Sequence, residues 1–138
     1  MRKKNFILLA ITTLFFFIFD RIIKNLYFLN GKSEFLKFQE NHNFLYFFQG
    51  KFFYFLIPLI FILLVFLALK SYQQKEYFKT FSLSLIFVGG FSNFLDRLLH
   101  GFVLDYFSFF SLWTFNLADV MILVGSLLFL WQLLKAKK

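Results

Sequence analysis

Cysteine is absent from this chain, proline occurs once as Pro58, and seven acidic residues face fifteen lysines and arginines. Without cysteine there are no disulfides and no thiolate metal sites, and no redox compartment is indicated. The shortage of acid leaves a net charge of +8, which raises nucleic acid as a partner. Position argues against it. The bases gather at Arg2, Lys3 and Lys4, at Lys70, Lys75 and Lys79, and at Lys135, Lys137 and Lys138. Each group flanks an apolar run, and none forms a basic face with polar readers between its charges, so no nucleic acid is expected. No HExxH or similar cluster supports a metal, and no cofactor is called for. His42 and His100 are the available imidazoles, and neither has an evident serine partner for nucleophilic chemistry.

What the chain has in excess is apolar surface: 60% of its 138 residues are hydrophobic, phenylalanine alone supplying 27. A soluble domain of this size has too little interior to hide so much, and the excess must face lipid. Four apolar stretches, about 6–29, 52–69, 78–99 and 115–134, each approach the roughly 20 residues needed to cross the hydrocarbon. Pro58 is tolerable in such a helix. The expectation is an all-α polytopic membrane protein, a single domain over residues 1–138. Basic clusters at both ends and at Lys70–Lys79 put those segments in the cytoplasm. The loops at about 30–51 and 100–114 then lie outside. In the first, alternation around Leu36–Phe38 and Leu45–Phe47 points to a short sheet on the membrane. The second, rich in aromatics, reads as a segment dipping along the interface. Arg2-Lys3-Lys4 before an apolar run resembles a secretory signal, but no small-residue cleavage site follows, and a retained first helix is expected.

The aspartates Asp20, Asp96, Asp105 and Asp119 all fall in or beside apolar segments, toward the outer end of this topology. Ionisable groups there cost a few kcal/mol each on insertion scales, so each needs a partner or a task. Asp20 and Lys24, spaced i,i+4, share a helix face as an ion pair with a supporting role. Asn93, Asp96, Arg97 and His100 form one polar stripe facing inward; it reads equally as a packing seam, with Asp96 neutralised by its neighbour Arg97. Asn116 is placed as a helix N-cap with Asp119 at N3, and capping alone accounts for both. Capping does not account for Asp105 in the loop leading into that helix. Two carboxylates in one desolvated site split their roles, one holding a proton and one acting as base, which suits attack of water on a peptide carbonyl. A small transporter with buried acids and a non-catalytic scaffold with polar helix glue are the alternatives.

The run Gly89-Gly90-Phe91-Ser92-Asn93-Phe94-Leu95-Asp96-Arg97, then Gly101-Phe102-Val103-Leu104-Asp105, then Phe115-Asn116-Leu117-Ala118-Asp119 resembles the lipoprotein signal peptidase (signal peptidase II) family. Its members look like GGxxNxxDR, GxVxD and FNxAD in that order, with a DxxxK element matched here by Asp20 and Lys24. The resemblance implies four transmembrane helices with a small extracytoplasmic β-cradle. It implies an aspartic endopeptidase with Asp105 and Asp119 as its catalytic pair. Asn41, Asn93, Asp96, Arg97 and Asn116 match the conserved surround, and Asp20 and Lys24 the support. The implied substrate is a bacterial prolipoprotein, cut before its diacylglyceryl-modified cysteine; membrane lipids are the other partner. The implied location is the bacterial inner membrane, with both termini cytoplasmic and the site at the outer face. In the family's NxGxxF element this chain has Asn41 at the first position, Asn43 for the glycine and Tyr46 for the phenylalanine. Asparagine tolerates positive φ better than most residues, which preserves a turn.

Overall fold

A computed structural model describes residues 3–30, 38–42, 52–109 and 113–136. The chain runs α1 (Lys3–Asn30), β1 (Gln39–Asn41), α2 (Phe52–Gln73), α3 (Tyr77–His100), β2 (Val103–Asp105), β3 (Phe107–Phe109), β4 (Trp113–Phe115) and α4 (Leu117–Ala136). Among the described residues, four helices are long and apolar enough to cross a membrane. Their exposed faces carry large hydrophobic side chains such as Phe15, Phe55, Phe66 and Leu127, while the buried set includes Asp20, Lys24, Ser92, Asn93, Asp96, Asp105 and Asn116. That inversion of the usual soluble arrangement suits lipid as solvent, where polar groups must find partners inside.

α3 is the central element, packing against α1, α2 and α4. Close approach to α4 depends on glycine at two levels. A Cβ on Gly89 would lie 2.5 Å from the Ala118 carbonyl oxygen, and one on Gly125 would lie 2.8 Å from that of Ser82. Backbone therefore meets backbone along this pair. α3 stops at Gly101, whose φ of 79° is left-handed and whose N–H donates to the Arg97 carbonyl at 3.1 Å.

The segment after α3, read as dipping along the interface, carries three short strands. β1 pairs antiparallel with β2, matching Gln39 to Asp105 and Asn41 to Val103, and β3 pairs antiparallel with β4, matching Phe107 to Phe115. Pairing satisfies backbone groups that an apolar environment would leave orphaned. The Tyr106 N–H extends this pattern by donating to the Phe115 carbonyl at 3.2 Å. α4 accordingly begins at Leu117, after Phe115 has been taken by β4. In the first loop the strand falls at Gln39–Asn41, just past the alternation expected around Leu36–Phe38. Leu36 and Lys37, together with Asn43, Tyr46 and the whole Leu45–Phe47 alternation, lie outside the described residues.

Candidate active site

Asp119 sits in the first turn of α4, where Asn116 caps the helix reciprocally. The Asp119 N–H donates to Asn116 Oδ1 at 3.0 Å, and the Asn116 N–H donates to Asp119 Oδ2 at 3.1 Å. Because Asn116 Oδ1 is occupied as an acceptor, its Nδ2 must face the other way. It donates to Asp105 Oδ1 at 2.9 Å and to Asn93 Oδ1 at 3.1 Å. One residue thus touches both carboxylates. The cap that shapes the helix end also joins Asp105 to Asp119.

Asn93 closes the arrangement from α3. Its Oδ1 accepts from Lys24 Nζ at 3.1 Å as well as from Asn116, so its Nδ2 turns to Asp119 Oδ1 at 2.7 Å. Lysine only donates, and this fixes the amide's orientation. Both oxygens of Asp119 therefore accept from N–H groups that cannot themselves accept.

Asp105, at the end of β2, is fully buried. Its Oδ2 accepts from Asn41 Nδ2 at 2.9 Å, across the β1–β2 ladder, and lies 3.3 Å from the Thr114 hydroxyl. Burial pushes the Asp105 carboxyl above the usual range; the Asp119 charge adds to the rise, while hydrogen bonds from Asn41, Asn116 and Thr114 oppose it. A threonine hydroxyl accepts as readily as it donates, so Oδ2 is the oxygen with a partner for a proton.

Beneath the pair lies a buried ionic layer. Lys24 Nζ meets Asp20 Oδ2 at 2.9 Å and Asp96 Oδ2 at 2.8 Å, and Arg21 pairs with Asp96 Oδ1. Asp96 is thus ion-paired from α1, in addition to its electrostatic interaction with its sequence neighbour Arg97. The Arg97 guanidinium reaches the Asn93 carbonyl at 3.3 Å, and it also interacts electrostatically with Asp119 and Asp105. Of the predicted stripe, His100 lies at the exposed end, its ring 6.2 Å from that of Phe102.

Four contributors were not singled out for the site in the sequence. Arg21 is one. Ser92 donates to Asp20 Oδ2 at 2.6 Å, and Thr114 faces Asp105. Tyr106 donates to Asp20 Oδ1 at 2.6 Å and accepts from the Leu117 N–H at 3.1 Å. Burial, then the hydrogen bond to Asp20, hold its phenol well above the usual range, so it stays neutral. The available signals were Arg21 beside Asp20 and Tyr106 beside Asp105. Among the described residues, no group of three or more histidine, aspartate or glutamate side chains is arranged to hold a metal.

A lipoprotein signal peptidase of Wolinella succinogenes is 46% identical over 74 residues, 51% of this chain and 49% of that one. One of Lactococcus lactis is 35% identical over 92 residues, 65% of this chain and 60% of that one. The chain thus spans about half to three fifths of the length of these two relatives. A bacterial membrane enzyme solved by the in meso method at 1.9 Å resolution superposes with a TM-score of 0.73 at 26% identity, covering 96% of this chain and 94% of the other. A second such structure, at 24% identity, shares the fold with a TM-score of 0.71 over 99% of this chain and 91% of its own. The protein is thus membrane-embedded and multi-pass. A profile of the family described as Signal peptidase (SPase) II matches residues 12–135, from within α1 to the last turn of α4, and the chain belongs to that family.

Proposed function

We propose that this protein is an aspartic endopeptidase that removes signal peptides from diacylglyceryl-modified bacterial prolipoproteins, cutting before the lipid-modified cysteine. The observation that carries this reading is the joining of Asp105 and Asp119 through Asn116, with the amides around them held in one orientation. Asp119 acts as base and takes a proton from water, whose oxygen attacks the scissile carbonyl carbon. Asp105 gives its proton to the carbonyl oxygen. As the tetrahedral diol collapses, Asp119 returns its proton to the leaving amine and Asp105 recovers one from the diol hydroxyl. Asn41, Asn93 and Asn116 hold the carboxylates; Arg97 grips substrate backbone; Asp20, Lys24 and Asp96 support the layer below. The site faces outward from the inner membrane, with both termini cytoplasmic, in keeping with the basic clusters at the opposite end.

Purified protein incubated with a diacylglyceryl-modified precursor should release the signal peptide, and the Asp105→Asn and Asp119→Asn forms should insert normally yet release none. Cleavage at the normal rate by either variant rules out the pair. A folded sample that leaves the precursor intact returns the chain to the transporter or scaffold classes.

A further inference from the structure

Besides the carboxylates, the site includes a groove of about 320 Å³ between α2, α3 and α4. Asn93, Arg97 and Asp119 lie in its lining, and most of the remaining wall is apolar, with Ile57, Phe61 and Ile122 among its residues. Given the function proposed above, continuity with Asp119 and a mostly apolar wall suit the substrate's apolar signal segment on the N-terminal side of the cut.

The wall is not uniform. Phe61 on α2 is held edge-on by three rings of α3, its centroid 5.3 Å from Phe87, 6.0 Å from Phe91 and 5.5 Å from Phe94. Its edge fills the hollow left by Gly90, where a Cβ would come within 3.2 Å of Phe61 Cε1. A ring wedged in this way gives little when a ligand presses on it, because close-packed aromatic interiors resist rearrangement. Gly90 lies one helical turn from Asn93, a rise of about 4.5 Å at 1.5 Å per residue. An extended peptide advances about 3.3 Å per residue. A peptide running along this wall from Asn93 toward Gly90 would therefore pass Phe61 within about one to three residues of the bond that Asp119 and Asp105 would cut.

The geometry points to Phe61, seated against Gly90, as the residue that limits the size of the substrate side chain entering the groove just before the cleavage point. Phe61 touches neither carboxylate and has no part in the proton transfers. It selects by shape, and a hydrophobic wall discriminates by excluding bulk more than by attracting a particular group.

Diacylglyceryl-modified precursors, identical except for alanine, leucine or phenylalanine at each of the three positions before the cysteine in turn, provide the test. At one of those positions the wild-type protein should cleave the alanine form faster than the phenylalanine form. Phe61→Ala should raise the phenylalanine-to-alanine ratio of kcat/KM there by about tenfold or more, the scale of steric discrimination in apolar pockets. Phe61→Leu should give a smaller shift in the same direction, and it serves if the alanine variant fails to fold. Gly90→Ala, which presses a methyl group onto the ring, should move the ratio the other way. If wild-type protein cleaves and the ratio stays unchanged at all three positions in the folded Phe61 variants, this assignment is overturned while the endopeptidase reading stands. If wild-type protein cleaves none of the precursors, both are overturned.

Discussion

The two ends of the helix bundle treat charge in opposite ways. At the site end, Asp20, Lys24, Asp96 and Asp105 are buried, and Lys24 alone meets three oxygens. At the other end, the turn between α2 and α3 holds an ion pair between Lys79 and Glu76 at 3.1 Å, with about a third and a half of the two side chains exposed. The exposed pair sits in water or headgroups, and either charge is solvated without the other. In the buried layer, removal of one member strands its partners. The first arrangement can position reacting groups; the second anchors the turn.

Replacing Asp119 by asparagine gives the largest difference, a fall in precursor cleavage of about 10⁴-fold or more, on the scale of losing a group that acts as part of a catalytic unit. Single-turnover assays would detect it. Next, Lys24→Met leaves Asp20 without its cation and Asn93 without the donor that orients it. A loss of about 3–5 kcal/mol is expected, as for breaking a buried pair, measured as unfolding free energy in mixed micelles. Tyr106→Phe strips a donor from Asp20 and an acceptor from the Leu117 N–H, and should cost about 1–3 kcal/mol by the same measurement. A pH dependence is smaller. Because the folded-state Asp105 carboxyl is raised, its contribution to stability is complete below the ordinary carboxylate range and is lost as pH rises through the raised value. The thermal midpoint of wild type should therefore fall relative to that of Asp105→Asn as pH increases. Lys79→Ala should change stability by less than about 1 kcal/mol. A larger loss there would erase the contrast between the ends.

Much of this organisation is local, and local features were readable. The i,i+4 spacing of Asp20 and Lys24 places them on one face, and Asn116 and Asp119 lie within a single helical turn, so both relations follow from helix geometry. The partners of Asp96 were not readable, because Arg21 and Lys24 are more than seventy residues away and only packing of α1 on α3 brings them together. The neighbouring Arg97 was readable, and it adds an electrostatic contribution to these contacts. β2, β3 and β4 have three residues each, too few to display a two-residue period against an aromatic background. Ser92 and Thr114 were hidden by their ordinariness. A hydroxyl in an apolar run signals nothing until a carboxylate is seen opposite it.

Gly89 and Gly125 have a mechanical consequence. With backbone against backbone at two levels, α3 and α4 cannot rotate or slide independently without a steric clash. Asn93 and Asp119 ride on that welded pair, so their relative setting exists before any peptide arrives. In the proposed reaction, whatever adjustment an entering chain demands would then fall outside these two helices, and the alignment of the carboxylates would be left undisturbed.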